Sequence, residues 1–270
     1  MVHGRLADVT APVDYQVVAR NIDPASDNKI HDDEVAQQFG FSGALVPGVE
    51  LFAYLTHPLV EAWGTDFLSR GAMSVRFRRP VYDGETVVAS AQAASDSAAD
   101  VELRLRGPDE AVRSVGTARR VGGDSVDLDA FTPAPLPDPL ASASPEVLRP
   151  GPLGSISEEV TAEGAERYLA DINETLPLYR QQDVVHPGAL LRMVNAVLMR
   201  NVVLGPWIHT ASSCAFLGVA RVPTLLRAHA VVTDTFERNG HDYVRYDALV
   251  LSDDLPVMAV DHTAIFRVAS

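Results

Sequence analysis

The chain has 270 residues, of which 47% are hydrophobic and 21% charged. That is enough apolar material for a packed core and excludes a disordered chain. A formal net charge of −14 argues against binding nucleic acid or anionic membrane through a general positive field. Cys214 is the only cysteine, so an internal disulfide and a cysteine-rich metal site are both excluded. No uninterrupted apolar run of about 18 residues marks a membrane span. The opening MVHGRLADVTAPVDYQ lacks a basic segment followed by an apolar stretch, so the expectation is a soluble, cytoplasmic protein.

In chain order, the first informative stretch runs from Ser26 to Phe41. Asp32, Asp33 and Glu34 suit the positive end of a short helix, and Gly40 suits its left-handed termination. Asn28 and His31 then fall on the loop before that helix. Leu45-Val46-Pro47-Gly48 opens an apolar run from Val49 to Trp63, predicted helical from the spacing of Phe52, Leu55, Leu59 and Trp63, with Pro58 as the expected kink. Strands are predicted over Met73–Val81, Glu85–Ala94, Asp100–Leu105 and Ala111–Val121, with Asp83-Gly84 and Gly107-Pro108 as turns. A proline-rich stretch between Gly122 and Gly154 reads as an extended connector.

The second half repeats the plan. Val185-His186-Pro187-Gly188 opens a nearly all-apolar helix over Ala189–Leu204, which belongs inside a fold. Strands follow over Ser213–Ala220, Thr224–Phe236, Asp242–Ser252 and Pro256–Val268, with Asn239-Gly240 as a hairpin turn. A buried helix followed by an antiparallel meander, occurring twice, predicts an α+β fold made by duplication, each sheet wrapped around its helix. The expected division is a first unit over 1–121, a linker over 122–154 and a second unit over 155–270.

Chemistry concentrates near His31. A neutral histidine close to the unpaired N–H groups that begin the next helix at Gly48 can move a proton while those donors hold an oxyanion. Asn28 either orients a water or fixes the loop through an Asx turn. No metal-binding pattern such as His-Glu-x-x-His is present, so no metal is predicted; the lack of Gly-x-Gly-x-x-Gly, a phosphate-binding loop and a Gly-x-Ser-x-Gly elbow removes dinucleotide, nucleotide and serine-hydrolase readings.

With Asn28, Ile30, His31, Asp33, Ala36, Gly40, Phe41, Leu45 and Gly48 in order and nearly in spacing, the sequence resembles the MaoC-like hydratase/dehydratase family, related to R-specific enoyl-CoA hydratases. In the second half the resemblance rests on Thr161–Tyr168, Leu178-Tyr179, Pro187-Gly188 and Trp207–Thr210. It implies a double hot-dog over almost the whole chain and an acyl-CoA or acyl-carrier-protein thioester as substrate. The implied reaction is hydration of a 2-enoyl thioester or dehydration of the 3-hydroxy form, with no cofactor, in a monomer built as a pseudo-dimer or in a homodimer. His31 becomes the general base, Asn28 a positioning group and Gly48 an oxyanion donor.

The sequence departs from the family pattern at the acid. The family aspartate stands five residues before the histidine, where this chain has Ser26; Asp27 is the nearest substitute. The motif proline is Lys29. In the second half Tyr179 takes the histidine place and Glu174 the aspartate place, which makes that unit a degenerate site, with Tyr179 and His209 as candidate substrate-binding residues. His186 reads either as a pocket residue or as packing at a helix start, with packing favoured. Arg76, Arg78 and Arg79 are a basic group suited to coenzyme A phosphates, although strand alternation would send Arg79 to the opposite face. A non-catalytic acyl-thioester binder, a thioesterase and a polyketide-tailoring enzyme are the alternative readings.

Overall fold

The computed structural model describes residues 14–22, 28–94, 97–122 and 126–269. Ten strands form a single sheet: β1 (Tyr15–Val18), β2 (Ala72–Phe77), β3 (Thr86–Ala94), β4 (Ser97–Arg106), β5 (Val112–Arg119), β6 (Gly151–Val160), β7 (Ile208–Phe216), β8 (Thr224–Arg238), β9 (His241–Ser252) and β10 (Leu255–Arg267). Their spatial order is β1-β3-β4-β5-β2-β7-β10-β9-β8-β6. Read inward from either edge the two sets of five follow one order, so β6–β10 take the places of β1–β5. The sets join at a seam where β2 runs antiparallel to β7, with Ala72 opposite Ala215 and Arg76 opposite Ala211.

In each set a long helix intervenes between the first and second strands and lies against the sheet. These are α2 (Gly48–Arg70) and α5 (Pro187–Asn201), which also touch each other. Three smaller helices are α1 (Asp33–Gln38), α3 (Ala162–Asp171) and α4 (Pro177–Gln181). Helix α2 buries Phe52, Leu55, Leu59 and Phe67, and α5 buries Leu191, Val194, Val197 and Leu198. Each such side chain contributes about 1.5–3 kcal/mol when fully removed from water, and all eight belong to one cluster spanning both halves. Along β9 the inward positions Val244, Tyr246, Ala248 and Val250 alternate at a strand period and are buried. Among the described residues, no helix is long and apolar enough to cross a membrane.

Several boundaries differ from the sequence expectation. The helical path of α2 breaks at Gly64 (φ 59°, ψ −150°) and not at Pro58, because that left-handed conformation is open to glycine at little steric cost. Strands β1 and β6 escape prediction. Both are edge strands, β1 is only four residues long, and β6 begins inside the proline-rich stretch, where an edge tolerates Pro152. The connector is pinned rather than loose. The Ser155 N–H donates to the Ala134 carbonyl at 2.8 Å, and a side chain at Gly154 would meet the Leu136 backbone at 2.6 Å. Asn239 and Gly240 both take positive φ in the β8–β9 hairpin, the turn their identities predict.

Candidate active site

The loop from residue 28 to 48 is held by local caps. Asp32 accepts from the Val35 N–H at 3.1 Å and begins α1, Gly40 takes φ 83° after it, and Asp33 accepts from the Ala44 N–H at 2.7 Å. These contacts fold the loop back so that Leu45 meets a short 3-10 turn over Lys29–His31.

The His31 ring is fixed at both nitrogens. Nδ1 lies 2.7 Å from the Leu45 carbonyl oxygen. A carbonyl can only accept, so Nδ1 carries the proton and Nε2 keeps a lone pair. That lone pair faces the Asn28 side-chain amide at 3.2 Å. Asn28 is itself anchored across the seam: Nδ2 donates to the Trp207 carbonyl at 3.0 Å, and Oδ1 accepts from the Trp207 N–H at 3.2 Å. This pairing orients the amide, so its second N–H is the one presented to His31.

Two clefts meet at this point. A wider one of about 800 Å³ is lined by Phe39, Gly48, Arg76, Arg78, Arg79 and His209 among others. A narrower one of about 340 Å³ runs between α3 and α5, past Val49, Val185, Ala189, Met193 and Met199, to Tyr168 and Arg192. Asn28, His31, Pro47, Asn195 and Trp207 line both. The imidazole thus stands where a basic-rimmed entrance meets a partly apolar recess.

Gly48 begins α2, and its N-cap Pro47 offers no side-chain bond to the first-turn amides, which a helix cannot satisfy internally. A Cβ at Gly48 would lie 2.9 Å from His209 Nδ1 and 3.1 Å from Phe77. His209 Nε2 is 2.8 Å from Ser212 Oγ, which in turn is 3.0 Å from His262 Nδ1. The two imidazoles stack at 4.1 Å. Burial lowers the pKa of His209 to about 3; burial, then His209 itself, holds His262 well below the ordinary 6.5. Both rings are neutral. Among the described residues, no group of three His, Cys, Asp or Glu side chains is placed to hold a metal ion.

No protein-family model matches the sequence, and no curated protein matches it either. Solved structures do. One from Chloroflexus aurantiacus J-10-fl, assigned as a MaoC domain protein dehydratase, superposes with a TM-score of 0.60 at 11% identity, covering 96% of each chain. A Mycobacterium tuberculosis protein with a double hotdog fold gives 0.59 at 14%, over 96% of this chain and 97% of that one. An acyl-CoA thioesterase II from Mycobacterium marinum gives 0.50 at 15%, over 83% and 90%. The fold is a double hot-dog.

Within the double hot-dog the sequence-predicted residues separate into groups. His31, Asn28, Gly48 and His209 share the clefts. Asp27 and Ser26 lie outside the described residues. Tyr179 is displaced from its expected place. It is 1% exposed, packs against His186 at 4.5 Å and lines neither cleft, because α4 carries it into the core. Arg79 is not sent away from Arg76 and Arg78. Strand β2 ends at Phe77, and the Arg78 and Arg79 N–H groups both donate to the Arg113 carbonyl, so alternation no longer applies there. His209 sits within β7 and not ahead of it.

Two buried clusters were not visible in the sequence. Glu50, fully buried in the first turn of α2, pairs with Arg192 of α5 at 2.5 Å and accepts from the Tyr168 hydroxyl at 2.9 Å. Glu174 lies 2.8 Å from His57 Nδ1 and 3.4 Å from His186 Nε2. Burial alone would raise the pKa of Glu174, but hydrogen bonds from His186 and His57 more than offset it and hold the carboxyl below its ordinary 4.5. His186 Nδ1 accepts from the Gly188 N–H at 3.0 Å and caps α5. Glu50 stands 142 residues from Arg192, and Glu174 stands 117 from His57, so neither pair leaves a local motif; the only sequence signal was the Glu174 spacing.

Proposed function

We propose that this protein acts on acyl thioesters carried on coenzyme A or an acyl carrier protein, hydrating a 2-enoyl thioester or dehydrating its 3-hydroxy form. The observation that carries the reading is the His31 imidazole, its Nδ1 proton committed to Leu45 and its Nε2 lone pair held by Asn28 at the junction of two clefts. In the hydration direction a water takes the place of the Asn28 N–H at the Nε2 lone pair, and Nε2 takes its proton as the hydroxide adds to C3. The electron pair moves onto the thioester oxygen beside the first-turn amides of α2 at Gly48. Protonation at C2 completes the addition, and Asp27 is the carboxyl this reading assigns to that transfer. Asn28 holds His31 in place. The rim of Arg76, Arg78 and Arg79, exposed and without an ion-pair partner among the described residues, suits the carrier's phosphates.

The test is turnover of crotonyl-CoA, followed as loss of the enoyl absorbance, in the wild type and in His31→Ala. A fall of about 10²–10⁴-fold in kcat is expected on removing the base. No wild-type turnover, or equal rates in the two proteins, removes the catalytic assignment. Because one scaffold hosts several chemistries and an acyl-CoA thioesterase is among the similar folds, free thiol is measured in the same reaction. Thiol release without loss of the double bond would identify hydrolysis instead.

A further inference from the structure

His209, Ser212 and His262 form a buried chain of hydrogen bonds. His209 Nδ1 and His262 Nε2 are both buried and find no hydrogen-bond acceptor or donor among the described residues. A hydroxyl between two imidazoles donates to one and accepts from the other, so the chain has two neutral arrangements. In one, His262 Nδ1–H donates to Ser212, Ser212 donates to His209 Nε2, and His209 carries its proton on Nδ1. In the other every bond reverses, leaving a bare Nδ1 on His209 and an N–H on His262 Nε2.

The surroundings choose between them. His262 is 0% exposed, against the Tyr246 ring, so an Nε2 proton there would be an orphaned donor in the core. His209 lines the wider cleft, where its Nδ1 lies against Gly48 at the uncapped start of α2. That nitrogen is itself buried, but its residue borders the wider cleft, whereas His262 lines neither cleft. The first arrangement places the unsatisfied donor at the end beside the cleft and the unsatisfied acceptor at the end inside the core.

We propose that His209 is a second oxygen-binding group of the site, its neutral imidazole donating Nδ1–H to the thioester carbonyl oxygen, with Ser212 and His262 as positioning residues that hold the tautomer. The inference rests on the acyl-thioester reading and deepens it: the oxygen held at the start of α2 receives a side-chain donor from the second unit as well as backbone N–H groups. A neutral donor suits this role because it stabilises developing negative charge without delivering its proton. Gly48 follows as a requirement, since any Cβ there would occupy the space next to Nδ1.

Two measurements test it. Long-range ¹H–¹⁵N spectra of the uniformly labelled protein at neutral pH report each histidine tautomer without substrate. The expected result is His209 protonated at Nδ1 and bare at Nε2, with Ser212→Ala releasing that preference into a mixture. A wild-type His209 protonated only at Nε2 overturns the proposal by itself. In kinetics with crotonyl-CoA, His209→Leu is expected to lose about 10²–10³-fold in kcat, the usual cost of one such donor, with KM changed far less. His209→Asn, whose amide nitrogen falls near the place of Nδ1, is expected to recover at least tenfold over His209→Leu. Equal kcat in folded wild type and His209→Leu, or no advantage of asparagine, overturns the oxygen-binding role. Wild-type protein that neither binds nor turns over crotonyl-CoA removes the acyl-thioester reading and this ligand with it, an outcome distinct from a wrong tautomer.

Discussion

Gly48 at the start of α2 and Gly188 in the first turn of α5 both follow a proline, and each lies against a ring-bearing side chain: the His209 imidazole in one case, the Tyr168 hydroxyl in the other. From there the two helix starts diverge. Helix α5 is capped, with His186 taking the Gly188 N–H and Glu174 placed between His186 and His57. Helix α2 has no side-chain cap and opens on the wider cleft beside His31 and His209. The two units have similar helix starts. One has its polar groups turned on each other across the two units; the other begins without a side-chain cap at the edge of the wider cleft.

Removing the carboxylate from the capped start is the strongest way to break this contrast. Glu174→Ala leaves His57 and His186 without their buried partner, and a loss of about 1–3 kcal/mol for each orphaned ring N–H is expected, read by chemical denaturation. Turnover per folded molecule should stay at the wild-type value, because Glu174 lines neither cleft.

Acid should weaken both starts together. His186, His209 and His262 all have folded pKa values below 6.5 through burial. The unfolded chain therefore binds more protons below pH 6.5, and stability rises with pH in that window. Going downward, each histidine costs up to about 1.4 kcal/mol per pH unit. Glu174, held below 4.5, stabilises above that value and adds a further loss as the pH falls through 4.5. A melting temperature that drops steeply between pH 7.5 and 5.5 is expected; a flat profile would show that these rings are not neutral in the fold.

The smallest effect sharpens the comparison. An alanine Cβ at Gly188 would meet the Tyr168 hydroxyl at 2.2 Å and Ala53 at 2.8 Å, and Tyr168 is tied to Glu50. Gly188→Ala should cost about 1–3 kcal/mol of stability by overpacking. Gly48→Ala, facing a cleft, should cost less stability and more activity, measured by melting temperature and crotonyl-CoA turnover on the same samples.

Much of this arrangement could be read locally. Asp32, Gly40 and the Asn239-Gly240 turn act within a few residues, and each does in the fold what its type predicts. The loop bearing Asn28 and His31 was legible for the same reason. The partners that give it meaning were not: Trp207 stands 179 residues from Asn28, and His262 is 50 from Ser212. Tyr179 misled because matching it to the position of His31 ignored the packing of α4, which turns it inward. Arg79 misled because β2 stops at Phe77, four residues short of the predicted end at Val81.

The double clasp between the Asn28 amide and the Trp207 backbone bears on how the protein matures. Asn28 completes those bonds only once Trp207 has left the ribosome and reached its place beside the seam. A chain halted after its first hot-dog would carry His31 and Asn28 without the Trp207 clasp. Acquisition of a correctly aimed imidazole is thus coupled to docking of the two lobes, and severing the chain in the connector tests whether docking alone, without covalent linkage, restores it.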